Sequence, residues 1–147
     1  AEVADLVARA TDGADVDLIV AAVLHDTVED TDTTFEELAG RFGERVASLV
    51  AEVTDDKTLP LAERKRLQVE NAAHASRGAK LIKIADKTSN LRAMAESPPR
   101  DWSAARRAAY LDWGRQVVAN CRGVDRWLEN QFDEAAAVLE TRVGVAA

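Results

Sequence analysis

A chain of 147 residues can bury about two-thirds of the surface it exposes when unfolded, and 47% apolar with 31% charged residues excludes a disordered or collagen-like class. A formal charge of -7 argues against non-specific nucleic-acid binding, which needs excess Lys and Arg, but not against an anionic small molecule in a local basic pocket. Cys121 is the only cysteine, so no internal disulfide forms and a reducing cytoplasmic setting is expected.

The longest apolar run, residues 18–24, is too short to span a bilayer, and no signal-peptide pattern opens the chain. Without internal repeats, residues 1–147 read as a single domain. A first helical segment over residues 3–10 stops at Thr11-Asp12-Gly13. "VDLIVAAVLHD", residues 16–26, is apolar nearly all round and predicts a helix central to the core. Thr34 and Glu37 form a capping box that opens a third helix, with Phe35, Leu38, Phe42, Val46, Leu49 and Val53 at helical spacing.

"TDDKTLP" breaks the pattern, and a strongly charged helix follows over residues 61–76. "GAKLIKIADKTSNLRAM" predicts another beginning after Gly78, with Leu81, Ile84, Thr88 and Leu91 roughly along one stripe. Ser97-Pro98-Pro99 is a clear break, and two long helices near residues 102–119 and 124–142 complete the chain. No stretch alternates with period two between hairpin signals, so the expected class is all-α.

The chemistry concentrates in two stretches. If the second helix runs on through "HDTVED", His25 and Glu29 stack four apart, as do Asp26 and Asp30. His25 and Asp26, about 100° apart round the axis, then offer one nitrogen and one oxygen ligand to a single divalent ion. Glu29 and Asp30 lie one turn on, where a carboxylate can steer water. The same residues are also compatible with a capping histidine and a solvated acidic helix end. In "KIADKTSN", Asp86 stands in an otherwise apolar helix with Asn90 one turn later. A carboxylate there must be paired, exposed or metal-bound, and a bridge to Lys83 or Lys87 is the plain alternative.

"HDTVEDTDTTFEEL", "EVTDDKTLPLAERKRLQVE" and "AKLIKIADKTSNLRAM" together closely resemble the HD-domain hydrolases of the RelA/SpoT type. The nearest likeness is to the small alarmone hydrolases, the group that includes the metazoan SpoT homologue. The likeness runs on through Trp102, Ser103, Arg106, Tyr110 and Trp113 and covers nearly the whole chain. It implies an HD-domain helical bundle and a Mn²⁺-dependent enzyme, with one ion per chain, that removes the 3′-pyrophosphate of ppGpp and pppGpp to leave GDP or GTP. Some relatives also act as phosphatases on NADPH.

By resemblance, His25, Asp26 and Asp86 match the metal ligands, Glu29 and Asp30 the acidic pair for the attacking water, and Asn90 an amide near the reacting phosphate. Arg106 and Tyr110 fall where the family lines its nucleotide pocket. Lys57, Arg64, Lys65, Arg66, Lys80 and Lys83 are candidates for holding phosphates, with Lys57 preferred, although each such residue is more often a solvated surface charge.

The family's fourth ligand, a histidine followed by proline, would fall just before Ala1 at the family's spacing. His74, in a loop between two helices, is expected to be structural or exposed and not to replace it. Ala1 in place of Met points to a chain lacking the most N-terminal helices of the family. Their loss would expose part of residues 18–24 and favour a homo-oligomer. A protein that naturally lacks this ligand, and serves as an impaired nucleotide-binding module, is the other possibility.

Overall fold

The computed structural model describes residues 1–146, and among these every regular element is helical. In chain order they are α1 (Glu2–Ala10), α2 (Val16–Leu24), α3 (Thr27–Asp30), α4 (Phe35–Phe42), α5 (Glu44–Glu52), α6 (Leu61–Ala72), α7 (Arg77–Glu96), α8 (Ala104–Ala119) and α9 (Arg126–Ala146). The expected all-α class is therefore observed, and none of these helices is long and apolar enough to cross a membrane.

Helix α7 is the axis of the bundle. It packs against α1, α5, α8 and α9, while α2 joins α1 to α5 and α6 lies on α8. Leu81, Ile82, Ile84, Ala85 and Leu91 of α7 are buried on several sides, against Val7 of α1, Val50 of α5, Val118 of α8 and Phe132 of α9 among others. A helix surrounded in this way has no solvent face to speak of, so its few polar residues are held at fixed depth. The stripe of Leu81, Ile84, Thr88 and Leu91 is buried as expected, with the Thr88 hydroxyl donating to the Ile84 carbonyl at 2.8 Å.

Two boundaries differ from the sequence reading. Residues 34–53 form two helices instead of one, because Gly43 takes φ 99°, a left-handed conformation that ends α4 and turns the chain into α5. Leu38, Val46 and Leu49 still reach the core, but Phe35 and Phe42 on α4 are exposed. The charged helix α6 stops at Ala72 and α7 begins at Arg77, one residue before Gly78. Gly78 lies inside α7 because a Cβ there would stand 2.9 Å from Leu49 Cδ2 and 3.2 Å from Leu18 Cδ1. The small residue lets the helices approach.

Side chains cap the helices that carry the site. Asp15 accepts the Leu18 N–H at the start of α2 and is clamped by both Arg45 guanidinium nitrogens at 2.6 and 2.7 Å. Thr34 accepts the Glu37 N–H at 3.1 Å, which is the threonine half of the capping box. Ser76 accepts the Ala79 N–H at the start of α7, while its own hydroxyl and N–H donate to Glu52 of α5 at 2.6 and 2.8 Å. Ser76→Ala removes the cap and the hydroxyl's bond to Glu52 while the backbone N–H bond remains, and unfolding free energy is expected to fall by about 1–2 kcal/mol. Chemical denaturation checks this; an unchanged midpoint would contradict it.

On α2, Leu18, Ala21 and Ala22 are buried while Val16 and Val23 are exposed, at 67% and 58%. The expected exposure of residues 18–24 is thus confined to one face.

Candidate functional site

The chemistry-bearing residues meet where α2 ends. The expected helix through "HDTVED" is interrupted: α2 closes at Leu24, His25 is its C-cap, and Asp26 opens the short α3. The His25 ring contributes to the break. Its Nδ1 lies 2.6 Å from the Ala22 carbonyl, one of the acceptors left open at a helix end. A nitrogen bonded to a carbonyl must carry the proton, so Nδ1 donates and Nε2 faces the other way.

Nε2 is the focus of the site. Asp26 Oδ2 lies 3.1 Å from it and Asp86 Oδ1 3.3 Å, so α2, α3 and α7 each deliver one group to a common point. The other Asp86 oxygen accepts from Asn90 Nδ2 at 3.3 Å and from Lys87 Nζ at 3.5 Å. The sequence alternative for Asp86, a bridge to a neighbouring lysine, is therefore made with Lys87, alongside the contact to His25.

Electrostatics follow this geometry. The hydrogen bond to Asp86 is the largest influence on His25 and, with the bond to Ala22 and the charge of Asp26, raises its pKa from 6.5 to about 9 against the opposing effect of burial. Burial pushes Asp86 up, but the His25 hydrogen bond and the Lys87 charge outweigh it, and the carboxyl ends below its usual range. Asp26 goes the other way: burial and the neighbouring Asp86 and Asp30 charges outweigh His25 and raise it.

Glu29 and Asp30, expected as a matched pair, have different surroundings. Glu29 Oε1 accepts the Asp55 N–H at 2.6 Å, and burial first, then Asp55 and Asp26, raise its pKa. Asp30 is exposed and stands 3.9 Å from Lys57 Nζ. Lys57 also donates to the Glu29 carbonyl at 2.7 Å, tying α3 to the loop before α6.

A cavity of about 70 Å³ opens at this point, lined by His25, Asp26, Glu29, Asp55, Gln68, Lys83, Asp86 and Lys87 among others. Asp55, Gln68 and Lys87 were not singled out from the sequence as site residues. Gln68 donates to Asp55 at 2.7 Å, and the only local signal was the acidic "TDDK" break. An adjoining cavity of about 150 Å³ shares Asp55, Gln68 and Lys83 and extends to Arg64. A wider hollow of about 560 Å³ at the turn between α8 and α9 has Arg122, Arg126, Asp125 and Glu129 on its wall but no histidine; there Glu129 accepts the N–H groups of Gly123, Val124 and Asp125.

The predicted nucleotide-pocket residues belong to an aromatic cluster on and just before α8. The Tyr110 ring lies 5.7 Å from both Trp102 and Trp113. Arg106 stacks 4.0 Å over Trp102, while Lys87 stands 4.1 Å and Lys65 5.1 Å over Trp113. Burial and then the Asp86 charge push the Tyr110 phenol up to about 12, so it remains protonated at neutral pH.

The remaining cation candidates divide. Arg66 is engaged by Glu63 and Glu70 on the exposed side of α6, and Lys80 is not among the residues lining the His25 cavity. His74 is exposed in the turn before α7, as expected.

No set of three or more His, Cys, Asp and Glu among the described residues is already arranged as a metal-binding group. The contacts at Nε2, 3.1 and 3.3 Å, are ion-pair distances, those of a protonated ring between two carboxylates. The donor chemistry nevertheless fits a divalent cation: one imidazole nitrogen, two carboxylates, and a ring locked from behind by a backbone carbonyl, the arrangement that orients histidine ligands. Loss of one proton from His25 turns its attraction to the acids into three donors for a cation.

The fold and site define an all-α protein with a histidine–carboxylate centre suited to a divalent ion. The HD domain family matches residues 1–111, and the chain belongs to that family. It is 54% identical over 120 residues to the guanosine-3′,5′-bis(diphosphate) 3′-pyrophosphohydrolase MESH1 of Danio rerio, covering 82% of this chain and 67% of that protein. Against the MESH1 of Homo sapiens the identity is 56% over 115 residues, 78% of this chain and 64% of the relative.

The chain thus spans about two-thirds of the length of these curated relatives, between 64% and 67%. The structure of a metazoan orthologue of SpoT that hydrolyses ppGpp superposes with a TM-score of 0.87 at 45% identity, over 96% of this chain and 78% of the other. The crystal structure of lmo0812 from Listeria monocytogenes EGD-e gives 0.77 at 30% identity, over 97% of both chains.

Proposed function

We propose that this chain carries a metal-dependent phosphohydrolase site that removes the 3′-pyrophosphate from ppGpp and pppGpp, giving GDP or GTP and pyrophosphate. The observation supporting it most is the convergence of His25, Asp26 and Asp86 on one point from three helices, with Nδ1 committed to Ala22. The names of its relatives identify the substrate class. His25, Asp26 and Asp86 would hold one Mn²⁺ per chain, since hard oxygens with a single imidazole and no thiolate suit that ion. When bound, it supplies positive charge that polarises a phosphate oxygen and makes a nearby water more acidic.

The remaining roles belong to the protein. Glu29, raised in pKa by burial and fixed by the Asp55 N–H, orients the attacking water and accepts its proton. Asp30 acts beside it from the open rim. Asn90, one turn beyond Asp86, offers an uncharged donor to a phosphate oxygen. Lys57 neutralises the acidic rim near the incoming phosphates. Tyr110 and Arg106 present a protonated phenol and a stacked guanidinium to the nucleotide.

Incubation with ppGpp and Mn²⁺ is expected to release pyrophosphate, followed by ³¹P NMR, and EDTA is expected to stop it. No metal-dependent release, from this chain or from one extended to the length of its relatives, would overturn the proposal.

A further inference from the structure

Charged groups round the His25 cavity are almost all committed. His25 lies between Asp26 and Asp86; Glu29 takes the Asp55 N–H; Asp55 takes Gln68; Lys57 bonds the Glu29 carbonyl. Lys87 has Asp86 on one side and the Trp113 ring on the other. Lys83, one turn before Lys87 on α7, is the exception. Among the described residues no carboxylate oxygen lies within 4.0 Å of its ammonium, and it makes no hydrogen bond or aromatic contact.

It is nevertheless buried, with 9% of its surface exposed, and lines both the cavity at His25 and the adjoining one beneath α6. The Cys121 thiol is near enough to influence it, but burial raises the thiol's pKa, so the sulfur stays neutral and is no counter-ion. The stem is buried but the ammonium nitrogen keeps access to the cavity, and Asp55 and Asp86 attract it only from beyond contact distance; a charge partly desolvated in this way is unfavourable. Its placement makes sense if the partner arrives with the ligand.

We propose that Lys83 is a substrate-binding residue whose ammonium holds a phosphate oxygen of the group entering the His25–Asp86 cavity, an inference resting on the nucleotide-phosphate reading of that site. A point charge at the wall common to two cavities suits an anion with several equivalent oxygens. This singles out Lys83 among six basic candidates of which the sequence reading preferred Lys57.

The test uses inorganic pyrophosphate as the probe. Its affinity is measured by isothermal titration calorimetry with Mn²⁺ present, and the melting temperature is measured without ligand. Lys83→Met is expected to weaken pyrophosphate binding at least about tenfold while the melting temperature holds or rises, because Met replaces a partly desolvated charge with apolar volume. Lys83→Arg, which restores charge, is expected to recover part of the affinity.

A lysine with a purely structural role would lower melting temperature and affinity together. That result, or unchanged affinity in folded Lys83→Met, or a wild-type protein that takes up no pyrophosphate, overturns the inference. If wild type binds pyrophosphate through Lys83 but leaves ppGpp intact, the lysine assignment stands and the hydrolase reading falls. Hydrolysis of ppGpp by Lys83→Met with unchanged KM sinks the lysine assignment alone.

Discussion

Asp86→Asn is expected to lower ppGpp hydrolysis by roughly 10³-fold, equivalent to about 4 kcal/mol of lost transition-state stabilisation. Asp86 is the one proposed metal ligand delivered from the central helix, and both of its oxygens are in use: one towards His25, the other towards Asn90 and Lys87. The amide has nearly the same shape, so packing is kept while the charge is lost. One of its two positions becomes a donor and must then face either His25 or the donors Asn90 and Lys87. The same substitution removes the largest influence raising the His25 pKa, which should drop back towards 6.5 in an NMR titration of the ring. Asp133→Asn, in an ion pair with Arg122 on the outer side of α9, is the control and should leave the rate within about twofold. If Asp86→Asn retained a tenth or more of the wild-type rate, Asp86 would not be a ligand and the proposed site would fail.

How much of this was legible beforehand depends on the range of the interaction. His25, Asp26, Asp86 and Asn90 were visible because polar residues in apolar helical surroundings need a reason, and the reason is each other. That Asp86 meets His25, sixty-one positions away in sequence, followed only from the family resemblance, since periodicity places a residue on a helix face but does not choose its partner. Helix α7 gave least. It is buried on several sides, so no polar face marks which way Lys83, Asp86 and Lys87 point. The cation contact of Lys87 with Trp113 and the bond from Gln68 to Asp55 are likewise tertiary.

The break at Gly43 escaped notice for a different reason. The apolar spacing from Phe35 to Val53 continues across it, and only the backbone conformation of Gly43 shows that the two halves are separate helices. The exposed Phe35 and Phe42 are the consequence: two of the six residues of an apparently continuous stripe turn away from the core.

The second large effect is a pair of pH profiles that diverge with metal. In chelated protein, the folded-state pKa of His25 is about 9 against 6.5 for an unperturbed ring. A raised histidine pKa contributes stability that is fully present below pH 6.5 and lost as pH rises through 9, because over that window the unfolded chain has released the proton and the folded one has not. The shift corresponds to about 3 kcal/mol, or about 2 kcal/mol once partial solvent screening is allowed for. Asp86 is shifted down, away from this window. Subtracting the profile of His25→Asn removes the other groups, including Lys83 and Cys121.

Metal reverses the outcome. A cation at Nε2 needs the neutral ring, so below pH 9 its affinity rises about tenfold per pH unit and its stabilisation by about 1.4 kcal/mol per unit. This gain offsets the loss in the chelated protein. Stability with saturating Mn²⁺ should therefore stay level from pH 6.5 to 8.5, while that in EDTA falls, so the gap widens with pH. Urea denaturation at several pH values, with Mn²⁺ and with EDTA, measures both curves. A gap independent of pH would mean that metal binds without displacing the His25 proton, and His25 would then be a hydrogen-bonding residue of the site instead of a ligand.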